Sequence, residues 1–186
     1  MVGITALWLP IVLSAVLVFV ASTLVHMVLR YHWGDWAKLP DEDRVLAAMR
    51  EAGVRPGSYH FPRPASPKGM HEAVWQEKCK RGPVGFLHVL PSGGPAMGKN
   101  LALWFGYTLV VGVFVAYLAS RTLDPGADYL EVFRIAGATA FLAYAGAEPV
   151  ASIWKGVEWS TTLKHLLDGL IYALVTAGPF AWLWPG

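Results

Sequence analysis

The sequence predicts an all-α integral membrane protein, with four transmembrane helices and a small mixed α/β cytoplasmic loop subdomain between helices 1 and 2. Three observations carry that prediction. The 186-residue chain is 55% apolar and only 15% charged, where a soluble domain carries about 25% charged residues. Its mean hydropathy is +0.42. Most of its charges lie in residues 30–99, between long uncharged runs. A formal charge of only +2 supplies no basic field of the kind that recruits DNA or RNA. The single cysteine, Cys79, can build neither an internal disulfide framework nor a thiolate metal cluster.

The first span follows from residues 1–29, which contain no charge; residues 4–29 as a helix reach about 39 Å, enough to cross a bilayer. This run lacks the basic n-region and the small-x-small cleavage site of a secretory signal, so it is expected to be retained. The second span is the uncharged run 100–120, bounded by Lys99 and Arg121. The third combines the uncharged stretch 135–147 with residues 129–134, which bring in Glu131, to give a helix over about 128–148. The fourth joins residues 162–168 to the uncharged run 169–186, spanning about 163–184, with a bend expected at Pro179 where a backbone donor is missing. The expected organisation is therefore a first helix in 1–29, a loop subdomain in 30–99 and a three-helix membrane region in 100–186.

Orientation follows from the basic residues, which favour the cytoplasmic side near span ends. Residues 30–99 hold eleven of the fifteen Lys and Arg residues. Counting only the flanks of that segment, Arg30, Lys38, Arg44, Lys80, Arg81 and Lys99 outnumber Arg121 and Arg134 in the next connection. The expectation is a multi-pass protein of the cell inner membrane, with both termini outside (periplasmic) and the loop 30–99 cytoplasmic. The tryptophans agree: Trp8, Trp182 and Trp184 mark an outer interface and Trp33, Trp36, Trp104, Trp154 and Trp159 an inner one.

Small residues indicate where helices approach closely. Thr139, Ala143 and Ala147 recur at four-residue spacing, with Ala136 and Ala140 on an adjacent stripe. Gly169, Ala173 and Ala177 repeat the device in the fourth span, which predicts an antiparallel pair of helices three and four. Spans one and two are Leu, Val and Phe all round, as lipid-facing or partner-facing helices are.

In the loop, Asp41 is placed to cap a helix carrying Val45, Leu46, Met49 and Ala52 on one face, with Gly53 as its left-handed stop. Four prolines in 55–67 leave room for a short strand at 58–61. A second helix is expected over 69–80, a strand over 83–90 and a Gly/Pro loop over 91–98. The basic cluster Lys78, Lys80 and Arg81 suits anionic lipid headgroups, at about 1 kcal/mol per charge. Cys79, flanked by these charges, lacks a specified catalytic partner, because His71 lies about two helical turns upstream.

Gly93, Gly98 and Lys99 fit G-x-x-x-x-G-K after a strand-like run. The match fails at Asn100, where a phosphate-binding loop needs a Ser or Thr hydroxyl for magnesium, and the following helix is a membrane span. No nucleotide site is expected. His26 and His165 lie near the inner ends of spans one and four, at similar depth, and can meet. Two facing imidazoles can ligate a haem or a metal, and one can hold a chlorophyll-type pigment; the plainer role is a histidine bonded to neighbouring backbone. His165 and Asp168 share one helical face. An acid at this depth is a functional candidate, while pairing of Asp168 with Lys164 or Lys155 is the local alternative. Asp128, Glu131 and Arg134 read as a salt-bridged helix face. The acids cluster at the two interfaces with none between, which disfavours a transport path.

These residues predict a non-catalytic accessory or scaffolding subunit of a larger respiratory or photosynthetic membrane complex, in contact with the lipid bilayer and other membrane subunits. Two alternatives stand beside it. One is a haem- or pigment-binding protein using His26 and His165. The other is a membrane enzyme with a site at the cytoplasmic interface, drawing on His165, Asp168, Glu158 or the loop histidines His60, His71 and His88.

Overall fold

The computed structural model describes residues 2–186 and is mostly helical. A 3₁₀ turn over Ile4–Leu7 leads into α1 (Trp8–Thr23), which a π-helical turn prolongs over Leu24–Leu29. After a 3₁₀ segment, Tyr31–Asp35, come α2 (Glu42–Glu51), β1 (Gly57–Phe61), α3 (Ala73–Arg81) and β2 (Gly85–Val89). The remainder is helical: α4 (Met97–Thr122), α5 (Tyr129–Ala145), α6 (Glu148–Lys155) and α7 (Trp159–Trp182). The chain divides into two compact units, Met1–Trp36 with Ala96–Gly186, and Ala37–Pro95.

Three helical stretches of the first unit are long and apolar enough to cross a membrane: Ile4–Leu29, Met97–Thr122 and Tyr129–Lys155. Helix α7 is 24 residues long but, with Lys164 and Asp168 in its first half, falls outside that set. It runs through Pro179, which lies in its last turn. Helix α4 outreaches the uncharged run and takes Lys99 and Arg121 into its end turns, where long basic side chains can bend away from the apolar surface. Hydroxyl side chains inside these helices bond to their own backbone: Ser14 Oγ donates to the Ile11 carbonyl at 3.0 Å and Thr108 Oγ1 to that of Phe105 at 2.7 Å. Such back-bonding satisfies a polar group where water is excluded.

Helices α5 and α7 form the most extensive contact in the unit, followed by α1 with α7 and α1 with α4. Their shared core contains Leu7, Ile11, Val111, Val115, Val132 and Phe180, with Ala136, Ala140, Ala173 and Ala177 where the backbones come close. The closest approach is at Gly169, where an added Cβ would stand 2.5 Å from Ala145 Cβ. Part of the expected small-residue stripe serves otherwise. Thr139 is half-buried and donates to the Ile135 carbonyl at 2.8 Å, while Ala143 and Ala147 are exposed and line a cavity. Their four-residue period drifts off the helix contact, and Ala136, Ala140 and Ala145 carry the close approach instead. On the outside, Leu103, Val110, Phe114, Leu142 and Leu174 remain exposed, a surface that suits apolar surroundings.

The second unit is built on an antiparallel pair, β1 with β2, in register Gly57↔Val89 to Phe61↔Gly85. Trp75 Nε1 of α3 donates to the Pro62 carbonyl at 3.2 Å. Helix α2 ends in a Schellman arrangement: Gly53, at φ 68°, donates to the Arg50 carbonyl and Val54 to that of Met49. Its start differs from expectation. Asp41 precedes α2 in a left-handed conformation, φ 46° and ψ 52°, and its side chain makes no capping hydrogen bond. No side chain of α2 or α3 is fully buried, in keeping with a segment too short to enclose a large core. Gly98 and Lys99 belong to the first turn of α4, not to a phosphate-cradling loop.

Candidate functional site

The polar site of the first unit is set up by an irregular stretch of backbone after α1. In a continuous α-helix, positions six apart lie about 240° around the axis from one another, so His26 and His32 would point in different directions. The π-helical turn widens the helix, and Arg30, at φ 52° and ψ 18°, then breaks it with a left-handed residue before the 3₁₀ segment begins. Positive φ at a residue with a Cβ is uncommon and is held here by the surroundings. The consequence is that the His26 and His32 rings lie 4.6 Å apart, centroid to centroid, tilted by 31°. His165 of α7 also packs against His32, with centroids 5.1 Å apart.

At the centre is Asp168, only 4% exposed. Its Oδ1 accepts a very short hydrogen bond from the Tyr31 hydroxyl, and its Oδ2 lies 2.7 Å from His32 Nε2. His26 Nε2 stands 3.9 Å from the same Oδ2 and 3.3 Å from the Tyr172 hydroxyl. The other ring nitrogen of His32, Nδ1, lies 2.6 Å from Asp35 Oδ2. Lys164 completes the arrangement by donating to Asp35 Oδ1 and, at 2.9 Å, to the Tyr31 carbonyl. Burial pushes the Asp35 carboxyl upward, but hydrogen bonds and charge from Lys164 and His32 outweigh it and hold the group below the usual carboxylate range. Both nitrogens of one imidazole thus face carboxylates.

Beside Asp168 opens a cavity of about 340 Å³, lined by His26, Glu148, His165 and Asp168 and walled by Trp104, Tyr107, Tyr144 and Tyr172. Glu148, at the start of α6, lies 3.0 Å from His165 Nδ1 through its Oε2. Among these rings Trp104 and Tyr107 stack at 5.8 Å, while Tyr144 and Tyr172 meet edge-on at 5.6 Å. A second, predominantly apolar groove of similar size shares His26, Trp104 and Tyr172 and extends along Ser22, Thr23, Met27, Met97 and Leu101. Trp104 Nε1 donates to Ser22 Oγ at 2.9 Å and so fixes the wall between the two.

His26, His165 and Asp168 therefore meet at one cavity. Asp168 does not pair with Lys164 or Lys155; Lys164 is taken by Asp35, and Asp168 by Tyr31 and His32. His26 and His165 each pack against the His32 ring, at centroid separations of 4.6 Å and 5.1 Å. Glu158 is exposed at the boundary of α7, where it accepts from Ser160 Oγ at 3.3 Å, apart from the cavity. His60, His71 and His88 belong to the second unit, where His60 stacks on Phe86 and His88 lies 2.9 Å from Ser58 Oγ. Lys78, Lys80 and Arg81 form the last turn of α3, with Lys80 paired to Glu77 at 3.2 Å.

The sequence reading missed Tyr31, His32, Asp35 and Glu148. One signal for two of them was present: His-x-x-Asp occurs twice, as His32 to Asp35 just after the first apolar helix and as His165 to Asp168 in the first half of α7. Comparison with known proteins gives no match, whether to a family model, a curated protein or a solved structure.

Proposed function

We propose that this chain is a multi-pass membrane enzyme that carries out acid–base chemistry, in the first instance hydrolysis, on an amphipathic lipid-like substrate. The observation that carries the reading is the convergence of His26, His165 and the buried Asp168, itself bonded to His32, on a cavity that adjoins an apolar groove. A substrate with its polar group in the cavity and an acyl chain along Met27, Met97 and Leu101 fits both compartments. His165, oriented by Glu148, is the general base: it takes a proton from water, the water oxygen attacks the substrate, and the proton passes to the departing group. In this reading α7 is the fourth crossing and both termini are periplasmic. The loop 30–99 is cytoplasmic in a bacterial inner membrane, so the site opens at the cytoplasmic interface, where the positive-inside bias places it.

The position of His32 argues for this reading over a haem or pigment site, because its ring packs directly against both His26 and His165 and bonds Asp168, leaving those imidazoles engaged with protein groups. An accessory or scaffolding role remains the second reading, favoured by the exposed aliphatic and aromatic faces of α4 and α7, including Phe114 and Trp182. Reconstitution of the purified chain into vesicles of bacterial lipid extract, with mass spectrometry over time, tests the proposal. The expected result is loss of one lipid class with appearance of its hydrolysis products, abolished by His165→Ala. An unchanged lipid profile, together with a stoichiometric membrane partner retained in mild detergent, would favour the scaffold.

A further inference from the structure

We infer that His26, His32 and Asp168 form a binding site for one divalent transition-metal ion of the zinc class, with a fourth coordination position open to the cavity. The inference rests on the enzymatic reading for the use made of the ion, whereas binding itself follows from the donor set.

Three features point to it. The ligand atoms of His26, His32 and Asp168 lie within 4.8 Å of one another. A tetrahedral ion with bonds of about 2.0–2.1 Å holds its ligand atoms roughly 3.3 Å apart. The observed separations from Asp168 Oδ2, 2.7 Å to His32 Nε2 and 3.9 Å to His26 Nε2, straddle that spacing. Shifts of about 0.6 Å, one opening and one closing, bring both to it.

The second feature is the support behind His32. Its Nδ1 is held by Asp35 at 2.6 Å, which aims Nε2 at Asp168 and His26. Metal-bound histidines almost always present their other ring nitrogen to a carboxylate or carbonyl in this way. The set His32, Asp35 and His165 also converges within the same limit, but there Lys164 already neutralises Asp35, and an ammonium group bonded to a carboxylate opposes a cation on it. Asp35 is thus a positioning residue and Asp168 the ligand.

The third feature is charge. Asp35, Asp168 and Glu148 all bond into the cluster, and Lys164 pairs with Asp35. A divalent ion between His32 and Asp168 adds positive charge where these carboxylates gather. Two imidazoles and one carboxylate select a zinc-like ion over magnesium or calcium, which prefer oxygen ligands. Three protein ligands with an open fourth position is the pattern of catalytic rather than structural zinc, and such an ion brings the pKa of its water to about 7.

The test is titration of the full chain in detergent, free of any histidine tag, with Co²⁺ followed by visible absorption and then displaced by Zn²⁺. One equivalent of Co²⁺ should give the intense absorption of a four-coordinate site, displaced by Zn²⁺ and indifferent to Mg²⁺. Asp35→Asn should weaken binding about 10–100-fold, and His26→Ala and Asp168→Asn should remove the signal, while His88→Ala leaves it intact. Absence of Co²⁺ absorption in the wild-type chain, or binding unaffected by both His26→Ala and Asp168→Asn, overturns the site. Stoichiometric metal without lipid turnover supports the site and removes only the enzymatic reading. Turnover by a metal-free chain that a chelator leaves unchanged removes the site and keeps the enzyme.

Discussion

His32 Nε2 lies 2.7 Å from Asp168 Oδ2, although the two residues stand 136 positions apart in the chain. Their contact ties the 3₁₀ segment that follows the first apolar helix to α7, and the Tyr31 hydroxyl reinforces the tie from the adjacent position. Removing one partner of a buried charged pair costs more than the pair is worth, because the other is left without compensation. Asp168→Ala should therefore lower stability by about 3 kcal/mol, whereas Asp168→Asn, which keeps one acceptor, should cost about 1 kcal/mol. Thermal unfolding in detergent measures both, and equal losses would show that the hydrogen bonds at Asp168 do not hold the segment.

Packing of α5 on α7 depends on the missing side chain at Gly169. An added methyl would meet Ala145 Cβ at 2.5 Å, too close for any side chain adjustment, since the neighbour is itself a methyl on a helix backbone. Gly169→Ala should force the helices apart and cost about 1–3 kcal/mol. Gly106, with open space around its missing Cβ, provides the contrast. Gly106→Ala should be neutral or stabilise by up to about 1 kcal/mol, and an equally large loss at both positions would refute the close approach.

The apolar helices were legible because charge marks their ends: runs without Asp, Glu, Lys or Arg map onto the first apolar stretch and α4 within a few residues, whereas α5 takes Glu131 and Arg134 into its first turns. The small residues of α5 and α7 likewise indicated which helices meet, although Ala143 and Ala147 turned out to face a cavity. The site was only half legible. His165 and Asp168 share a face because a regular helix carries them three positions apart, so periodicity found them. His32 and Asp35 lie beyond the π-helical turn and the left-handed Arg30, where 3.6-residue periodicity no longer applies. No local pattern announces that Arg30 adopts positive φ, and the partner that rewards it, Asp168, is remote in sequence.

Lys164 and Asp35 offer a direct measure of coupling across the same joint. The ammonium group bonds both Asp35 Oδ1 and the Tyr31 carbonyl, and the Asp35 side chain is 3% exposed. Lys164→Met leaves that carboxylate with His32 alone and should cost about 2 kcal/mol; Asp35→Asn should cost a similar amount. The double variant should lose less than the sum by about 1 kcal/mol or more. Additive losses in chemical denaturation would mean that the two side chains act independently.

Cys79 reports the proposed topology. It is partly exposed in α3, within the unit Ala37–Pro95, and basic residues on both sides of it belong on the cytoplasmic side under the positive-inside rule. An impermeant thiol reagent added to intact cells should leave it unlabelled, and permeabilisation should expose it. Labelling in intact cells would place this unit outside and move the histidine cluster to the opposite interface.

Glu148 separates a catalytic base assembly from a merely structural pair. Its side chain is 36% exposed and that of His165 is 41% exposed, so screening leaves their interaction worth at most about 1 kcal/mol of stability. In catalysis the same contact does more, because a carboxylate on Nδ1 fixes the tautomer that leaves Nε2 free to accept a proton. Glu148→Gln should therefore reduce lipid turnover by about 10²-fold or more while thermal unfolding barely shifts. Glu158→Gln, at an exposed acid whose side chain accepts from Ser160, should change neither. A Glu148→Gln protein that turns over lipid at the wild-type rate would remove His165 from the role of base and leave the histidines next to Asp168 to supply it.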